Sequence, residues 1–80
     1  MSELSQLRWR CRRGTKELDI VMNRYLDQIY MDAEPSQQRA FKALLQIEDP
    51  TVFDLLLGNI VAQNDEQQIL LDTLRGIMAL

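Results

Sequence analysis

Glycine and proline residues interrupt an otherwise helical pattern of apolar residues, and these breaks constrain the fold more than any other feature of the chain. Gly14, Pro35, Pro50 and Gly58 divide the 80 residues into five segments. Apolar residues recur within the segments at intervals of three and four, which is typical of amphipathic helices. Glycine in the left-handed conformation commonly closes a helix, and proline fits the first turn of the next one. We therefore expect an all-α fold, a single compact bundle of five short helices in which residues 1–80 form one domain.

The same spacing predicts which side chains are buried and which residues cap the helices. In the first three helices, the predicted apolar faces comprise Leu4, Leu7, Cys11, Leu18, Val21, Met22, Tyr25, Leu26, Ile29, Phe41, Leu44 and Leu45. The last helix should bury Ile69, Leu70, Leu74, Ile77 and Met78, and Ile60 and Val61 should fold back onto the core. We expect Thr15, Asp49 and Asn64 to cap helices, because short polar side chains accept hydrogen bonds from exposed amides. For Asp49, a contribution to a partner surface is the alternative.

The composition argues against several classes of function. The chain has no histidine and one cysteine, Cys11, which excludes an internal disulfide and argues against metal binding and histidine-dependent catalysis. No apolar run reaches the roughly 18 residues that a membrane span requires. Charge is unevenly distributed: residues 1–24 carry six basic and three acidic side chains, whereas residues 25–80 carry three basic and nine acidic ones. Such asymmetry can orient an approaching partner by electrostatic steering.

The candidate site is the run from Trp9 to Asp19, which contains the motif Arg13-Gly14-x-x-Glu17. Arginine offers a forked donor, glutamate an acceptor, and glycine leaves the backbone between them open to another surface. This combination suits recognition of polar groups on a protein, because guanidinium and carboxylate groups form two-pronged, specific hydrogen bonds. It does not suit catalysis, since no nucleophile is paired with a base. The alternative is a helix-terminating glycine flanked by solvated charges.

Two further side chains in this run also have two interpretations. Trp9 is either an anchor at an interface or a core or half-buried residue at the edge of the first helix. Cys11 falls on the apolar stripe, where we expect it to pack as a small hydrophobic residue. The alternative is a reactive thiol, because nearby arginines would lower its pKa.

The motif and the order of residues after it resemble a family of succinate dehydrogenase assembly factors. Arg-Gly-x-x-Glu is followed about 30 residues later by Glu48-Asp49-Pro50, and then by Phe53, Leu56 and Gly58. The similarity runs from about Leu7 to about Arg75. The chain departs from the pattern at Leu56, where relatives often carry tryptophan, and at Gln6, where some carry arginine.

The resemblance implies a chaperone-like role rather than an enzymatic one. Such a factor binds the flavoprotein subunit of succinate dehydrogenase, or of the related fumarate reductase, and promotes covalent attachment of FAD to that subunit. The partner-binding residues would be Trp9, Arg12, Arg13, Gly14, Glu17 and Asp19. FAD would be bound to the partner and not stably to this chain, which lacks a dinucleotide-binding fingerprint. The expected location is the bacterial cytoplasm.

A second class of function remains open. Arg8, Arg10, Arg12, Arg13 and Lys16 surround Trp9, a composition expected of a small nucleic-acid contact. Against it, these residues wrap around the helix instead of lining one face, and the net charge is −3. Members of the resembling family have also been labelled antitoxins, so the same surface could serve a regulatory protein.

Overall fold

Five α-helices make up the structure, a computed structural model that describes residues 2–79. They are α1 (Glu3–Arg10), α2 (Lys16–Gln28), α3 (Pro35–Leu44), α4 (Asp49–Leu57) and α5 (Asp65–Met78), with a 3-10 turn at Tyr30–Asp32. No strand occurs within the described residues, and the radius of gyration is 11.6 Å. The prediction of an all-α bundle of five short helices is confirmed.

The core lies where α5 packs across α2, α3 and α4. An aromatic cluster occupies its centre: the ring of Phe41 lies 4.4 Å from that of Tyr25 and 5.7 Å from that of Tyr30, measured between centroids. Leucine, valine and methionine side chains from α2 to α5, together with Leu7 and Cys11, complete the core. Most of the predicted buried positions in the first three helices are therefore correct. Burial of this apolar surface supplies the main stabilisation of the fold.

Four predictions of apolar burial are wrong, three of them outside α5. Val61 is 89% exposed, and Ile60 and Leu4 are also exposed. The connector after α4 turns outward because the backbone N–H of Ile60 bonds to the carbonyl of Asp54, so its two aliphatic side chains do not return to the core.

In α5 the predicted member Ile69 is 55% exposed, which is also an error. The buried face is formed by Gln67, Leu70, Leu71 and Leu74, the true i, i+3, i+4, i+7 set, and Ile69 falls outside it. Gln67 is tolerated at a buried position because its side-chain oxygen accepts a hydrogen bond from the Gln63 amide at 2.7 Å. Because Gln67 is polar, apolar spacing alone did not identify the buried face of this helix.

The helix ends agree with the sequence at some positions and not at others. Gly58 closes α4 in the left-handed conformation, with φ of 79°, and Asn64 caps α5 by accepting from the Gln67 amide at 2.8 Å. Thr15 occupies the N-cap position of α2, but its hydroxyl makes no capping bond.

Two predictions about helix ends are wrong. The first helix ends at Arg10 with Cys11 as its C-cap, and Gly14 lies outside the left-handed region. Asp49 is not the N-cap of α4; Glu48 holds that position. The two residues share one contact: the backbone N–H of Gly14 donates to the carboxylate of Asp49, so neither residue ends or caps a helix as predicted.

Polar contacts attach α1 and the end of α4 to the rest of the molecule. Arg8 pairs with Asp27, and the carboxylate of Glu3 pairs with Lys42. The hydrogen bond from Lys42, with a second from Tyr30, holds the pKa of Glu3 below its ordinary value.

The end of α4 is fastened by Arg75. Its Nε and Nη2 donate to the carbonyl oxygens of Leu56 and Leu55 at 2.7 and 2.8 Å. Carbonyl groups in the last turn of a helix lack the regular intrahelical partners, and Leu55 receives only a long bond of 3.3 Å from the Gly58 N–H, so a guanidinium from α5 supplies further donors.

Candidate functional site

Arg13 is turned inward, although it belongs to the motif singled out in the sequence. Its Nε donates to Asp49 Oδ1 at 2.7 Å, its Nη1 donates to the carbonyl of Leu45 at 2.9 Å, and its Nη2 donates to the carbonyl of Ile47. The side chain is 8% exposed. A single guanidinium therefore joins the connector between α1 and α2 to the end of α3 and the start of α4.

Asp49 completes this junction from the other side. Its second oxygen, Oδ2, accepts from the backbone N–H of Gly14 at 2.8 Å, so one carboxylate holds two consecutive residues of the motif. The backbone N–H of Arg13 donates to Asp19 Oδ1 at 3.3 Å. The Arg13–Gly14 corner is thus held between two carboxylates, one from α2 and one from α4.

Sequence reasoning gave Asp49 a place in the site only as the alternative to a helix cap. Its position before Pro50 suggested a helix cap, a common and local role for aspartate. The contact with Gly14 spans 35 positions in the chain, and a single sequence contains no direct signal for such a distant pair.

The other predicted members of the site lie at or near the surface beside the corner. Trp9 is 68% exposed, so the core or half-buried alternative for this residue is wrong. The guanidinium of Arg12 lies 4.9 Å from the centroid of the Trp9 ring, in position for a cation–π contact. Gly14 and Glu17 are exposed, and Asp19 is partly exposed. Five of the six predicted residues are thus exposed or partly exposed, whereas the side chain of Arg13 is largely buried.

Glu17 projects from the first turn of α2, where the helix dipole favours a carboxylate. It also lines one end of a shallow groove of about 270 Å³ between α2 and the end of α5. Ile20, Val21, Ile77 and Met78 provide the apolar walls, and Arg24 lies two helical turns beyond Glu17. The exposed part of the site therefore combines charged groups with an apolar recess.

Cys11 lies beneath this surface and is fully buried. Its Sγ donates a weak hydrogen bond to the carbonyl of Met22 at 3.7 Å. Burial raises the pKa of the thiol to about 11, and this outweighs the opposing influence of Arg8 and Arg13. The prediction that Cys11 packs as a small hydrophobic residue is confirmed.

Two of the five basic residues in the N-terminal run are bound to carboxylates within the molecule. Arg8 forms an ion pair with Asp27, and Arg13 forms one with Asp49. Arg12 lies against Trp9. This distribution does not favour the nucleic-acid interpretation, which requires clustered cations free to meet phosphates.

Two other structural features can be stated for residues 2–79. None of their helices is both long and apolar enough to cross a membrane. Their histidine, cysteine, aspartate and glutamate side chains form no group of three or more that could hold a metal ion.

Comparison with known proteins points to one family. The model of a family described as the flavinator of succinate dehydrogenase matches residues 5–78. A protein of Shewanella oneidensis is 32% identical over 95% of this chain and 93% of its own length, and one of Xylella fastidiosa is 36% identical over 98% of this chain and 80% of its own length. A third, from Coxiella burnetii, is 34% identical over 76% of this chain and 74% of its own length. All three relatives are named FAD assembly factor SdhE. No solved structure matches significantly.

Proposed function

The chain belongs to the family described as flavinator of succinate dehydrogenase, and we propose that it acts as an assembly factor for that enzyme. In this proposal it binds the flavoprotein subunit and promotes covalent attachment of FAD to it. The observation that carries the proposal is the Arg13–Gly14 corner, which two carboxylates hold in place beside an exposed Glu17. A fixed corner with charged groups around it is suited to recognising one folded partner.

The proposed docking surface consists of Trp9, Arg12, Glu17 and Asp19 around the exposed Gly14, with Arg13 as its internal support. Trp9 offers a large apolar area, and aromatic residues of this kind often dominate binding energy at protein interfaces. Glu17 supplies a carboxylate for a basic group on the partner. The groove that starts at Glu17 offers an apolar recess of about 270 Å³ adjoining these polar contacts.

The chemistry of attachment belongs to the partner in this proposal. The surface contains carboxylates, guanidinium groups and an aromatic ring, and its nearest thiol is buried with a raised pKa. The chain therefore acts by holding the flavoprotein in a geometry in which the flavin and its attachment residue meet. Positioning of reacting groups and preorganised charges can account for large accelerations without a catalytic group from the factor.

Succinate dehydrogenase is the proposed partner because the description of the family names it. Fumarate reductase stays an extension of the proposal that no comparison supports. The three relatives come from bacteria, which supports a bacterial setting for the interaction.

The proposal is tested by replacing the carboxylate of the surface and leaving the fold alone. Glu17→Gln keeps the shape of the side chain and removes its charge, so we expect normal helical circular dichroism and at least tenfold weaker binding to the flavoprotein subunit. Glu66→Gln is the matched control, because Glu66 is likewise exposed in the first turn of a helix, α5. Binding is measured by calorimetry and covalent FAD by fluorescence after denaturing electrophoresis. Equal binding by both variants would refute the proposed surface, and absence of wild-type binding would refute the function.

A further inference from the structure

Asp49 lies outside the Arg-Gly-x-x-Glu motif, on a different helix, and yet it bonds to both of the motif's first two residues. Its Oδ1 accepts from Arg13 Nε at 2.7 Å and its Oδ2 accepts from the Gly14 amide at 2.8 Å. The Arg13 amide bonds to the carboxylate of Asp19. Side-chain carboxylates thus hold the backbone of this connector, where a helix would use its own carbonyl groups.

Gly14 has a specific spatial reason to be glycine. A Cβ atom built on it would lie 3.2 Å from Asp49 Oδ2, which is closer than a carbon atom and an oxygen atom comfortably approach. Asp49 cannot retreat freely, because its other oxygen is bound to Arg13, which in turn is fixed by two carbonyl groups. Its side chain is 21% exposed. Any side chain at position 14 therefore presses against an atom of the same molecule.

We propose that Asp49 is a positioning residue of the docking surface, and that Gly14 is required for the close approach of Asp49 and not for the approach of a partner. This inference rests on the function proposed above. The Asp49 carboxylate fixes the corner from which α2 starts, and so fixes the direction in which Glu17 and its neighbours meet the flavoprotein. A bulky residue at position 14 acts by displacing Asp49.

A double-mutant cycle tests this directly, because two residues that act through one contact have non-additive effects. Dissociation constants for the flavoprotein subunit are measured for wild type, Gly14→Ala, Asp49→Ala and the double variant. We expect each single variant to weaken binding at least tenfold and the double variant to bind no more weakly than Asp49→Ala alone. Without the carboxylate, the new methyl group has nothing to displace. Multiplied effects would overturn the inference, since they would mean that Gly14 contacts the partner independently.

A control separates positioning from general loss of stability. Arg75→Gln removes a comparable arginine from the carbonyl groups at the end of α4. We expect it to lower Tm while leaving the dissociation constant within twofold of wild type at a temperature where all variants are folded. If Arg75→Gln and Asp49→Ala weaken binding equally, the role of Asp49 is merely structural and the inference is wrong. Should Asp49→Ala not fold, Asp49→Asn takes its place, because it keeps one oxygen as an acceptor and loses one of the two bonds.

A measurement without the partner distinguishes failure of this inference from failure of the proposed function. Hydrogen exchange of the Gly14 amide, followed by NMR, should be slow in wild type and at least tenfold faster in Asp49→Ala. Unchanged exchange would overturn the inference whatever the partner does. Fast exchange in the variant, combined with no wild-type binding to the flavoprotein, would refute the proposed function and with it the role of Asp49 in docking.

Discussion

Replacing Arg13 with glutamine should destabilise the fold far more than a surface arginine normally would. Glutamine is shorter and uncharged, so it cannot reach Asp49 and the carbonyl groups of Leu45 and Ile47 together. The change removes the Arg13 donors from a partly buried carboxylate, from the carbonyl at the end of α3 and from a carbonyl in the loop before α4.

The size of the effect follows from these three contacts. Hydrogen bonds that involve a charged group contribute about 1.5–3 kcal/mol each. Asp49 is partly exposed, so water replaces some of what its carboxylate loses, and the carbonyls can be partly hydrated as well. If the three contacts together retain about the value of two such hydrogen bonds, their loss lowers the free energy of unfolding by about 3 kcal/mol. This lies at the lower end of the range for breaking a buried ion pair. For a domain of this size that corresponds to a fall in Tm of about 12–24 °C.

Urea unfolding followed by circular dichroism at 222 nm measures this loss, with Arg12→Gln as the control. Arg12 is the adjacent arginine, is exposed, and contacts the Trp9 ring. Its replacement should cost less than about 1 kcal/mol, the value of an exposed cation–π contact. A loss below about 1 kcal/mol for Arg13→Gln, or equal losses for the two variants, would refute the assignment of Arg13 as the internal support.

Three further experiments have distinct expected outcomes. The buried Cys11 thiol should react with a disulfide reagent much more slowly in the native protein at pH 8 than in urea, and rapid native reaction at pH 8 would contradict this. Because burial raises the folded pKa of the thiol to about 11, the stability that the neutral thiol contributes is complete below about pH 9 and is lost as the pH rises through 11. Leu56→Ala should cost about 2–5 kcal/mol in urea unfolding, whereas Val61→Ser should cost less than about 0.5 kcal/mol, and similar losses would contradict the burial of one and exposure of the other. Trp9→Ala should leave Tm nearly unchanged and weaken flavoprotein binding by about 2 kcal/mol or more in calorimetry, and unchanged affinity would remove Trp9 from the surface.

The helices could be predicted from the sequence because their signals are local. Apolar spacing located α2 and α3. Gly58 marked the end of α4 and Asn64 the start of α5, through preferences of single residues. Ile60 and Val61 were misplaced because hydrophobicity indicates a tendency to be buried, whereas the path of a connector depends on its hydrogen bonds. The register of α5 was shifted because Gln67, a polar residue, occupies a buried position.

The site could be predicted only as a set of residues near one another in the chain. The Arg-Gly-x-x-Glu motif pointed to the correct region, but the orientation of Arg13 depends on acceptors 32 to 36 positions away. A guanidinium in a sequence is equally able to face a partner or its own chain. The position of the Asp49 carboxylate next to Arg13 directs the guanidinium inward, and no local sequence pattern shows that these two residues meet.

In the proposed function, the chain promotes flavin attachment through a surface that includes the Arg13–Gly14 corner and Glu17. The most direct measurement is covalent FAD on the succinate dehydrogenase flavoprotein, expressed with wild type, with Glu17→Gln, with Glu66→Gln and without this chain, and read by fluorescence after denaturing electrophoresis. We expect a strong signal with wild type and Glu66→Gln and a signal near that of the empty control with Glu17→Gln. Equal covalent FAD in all four samples would contradict the account.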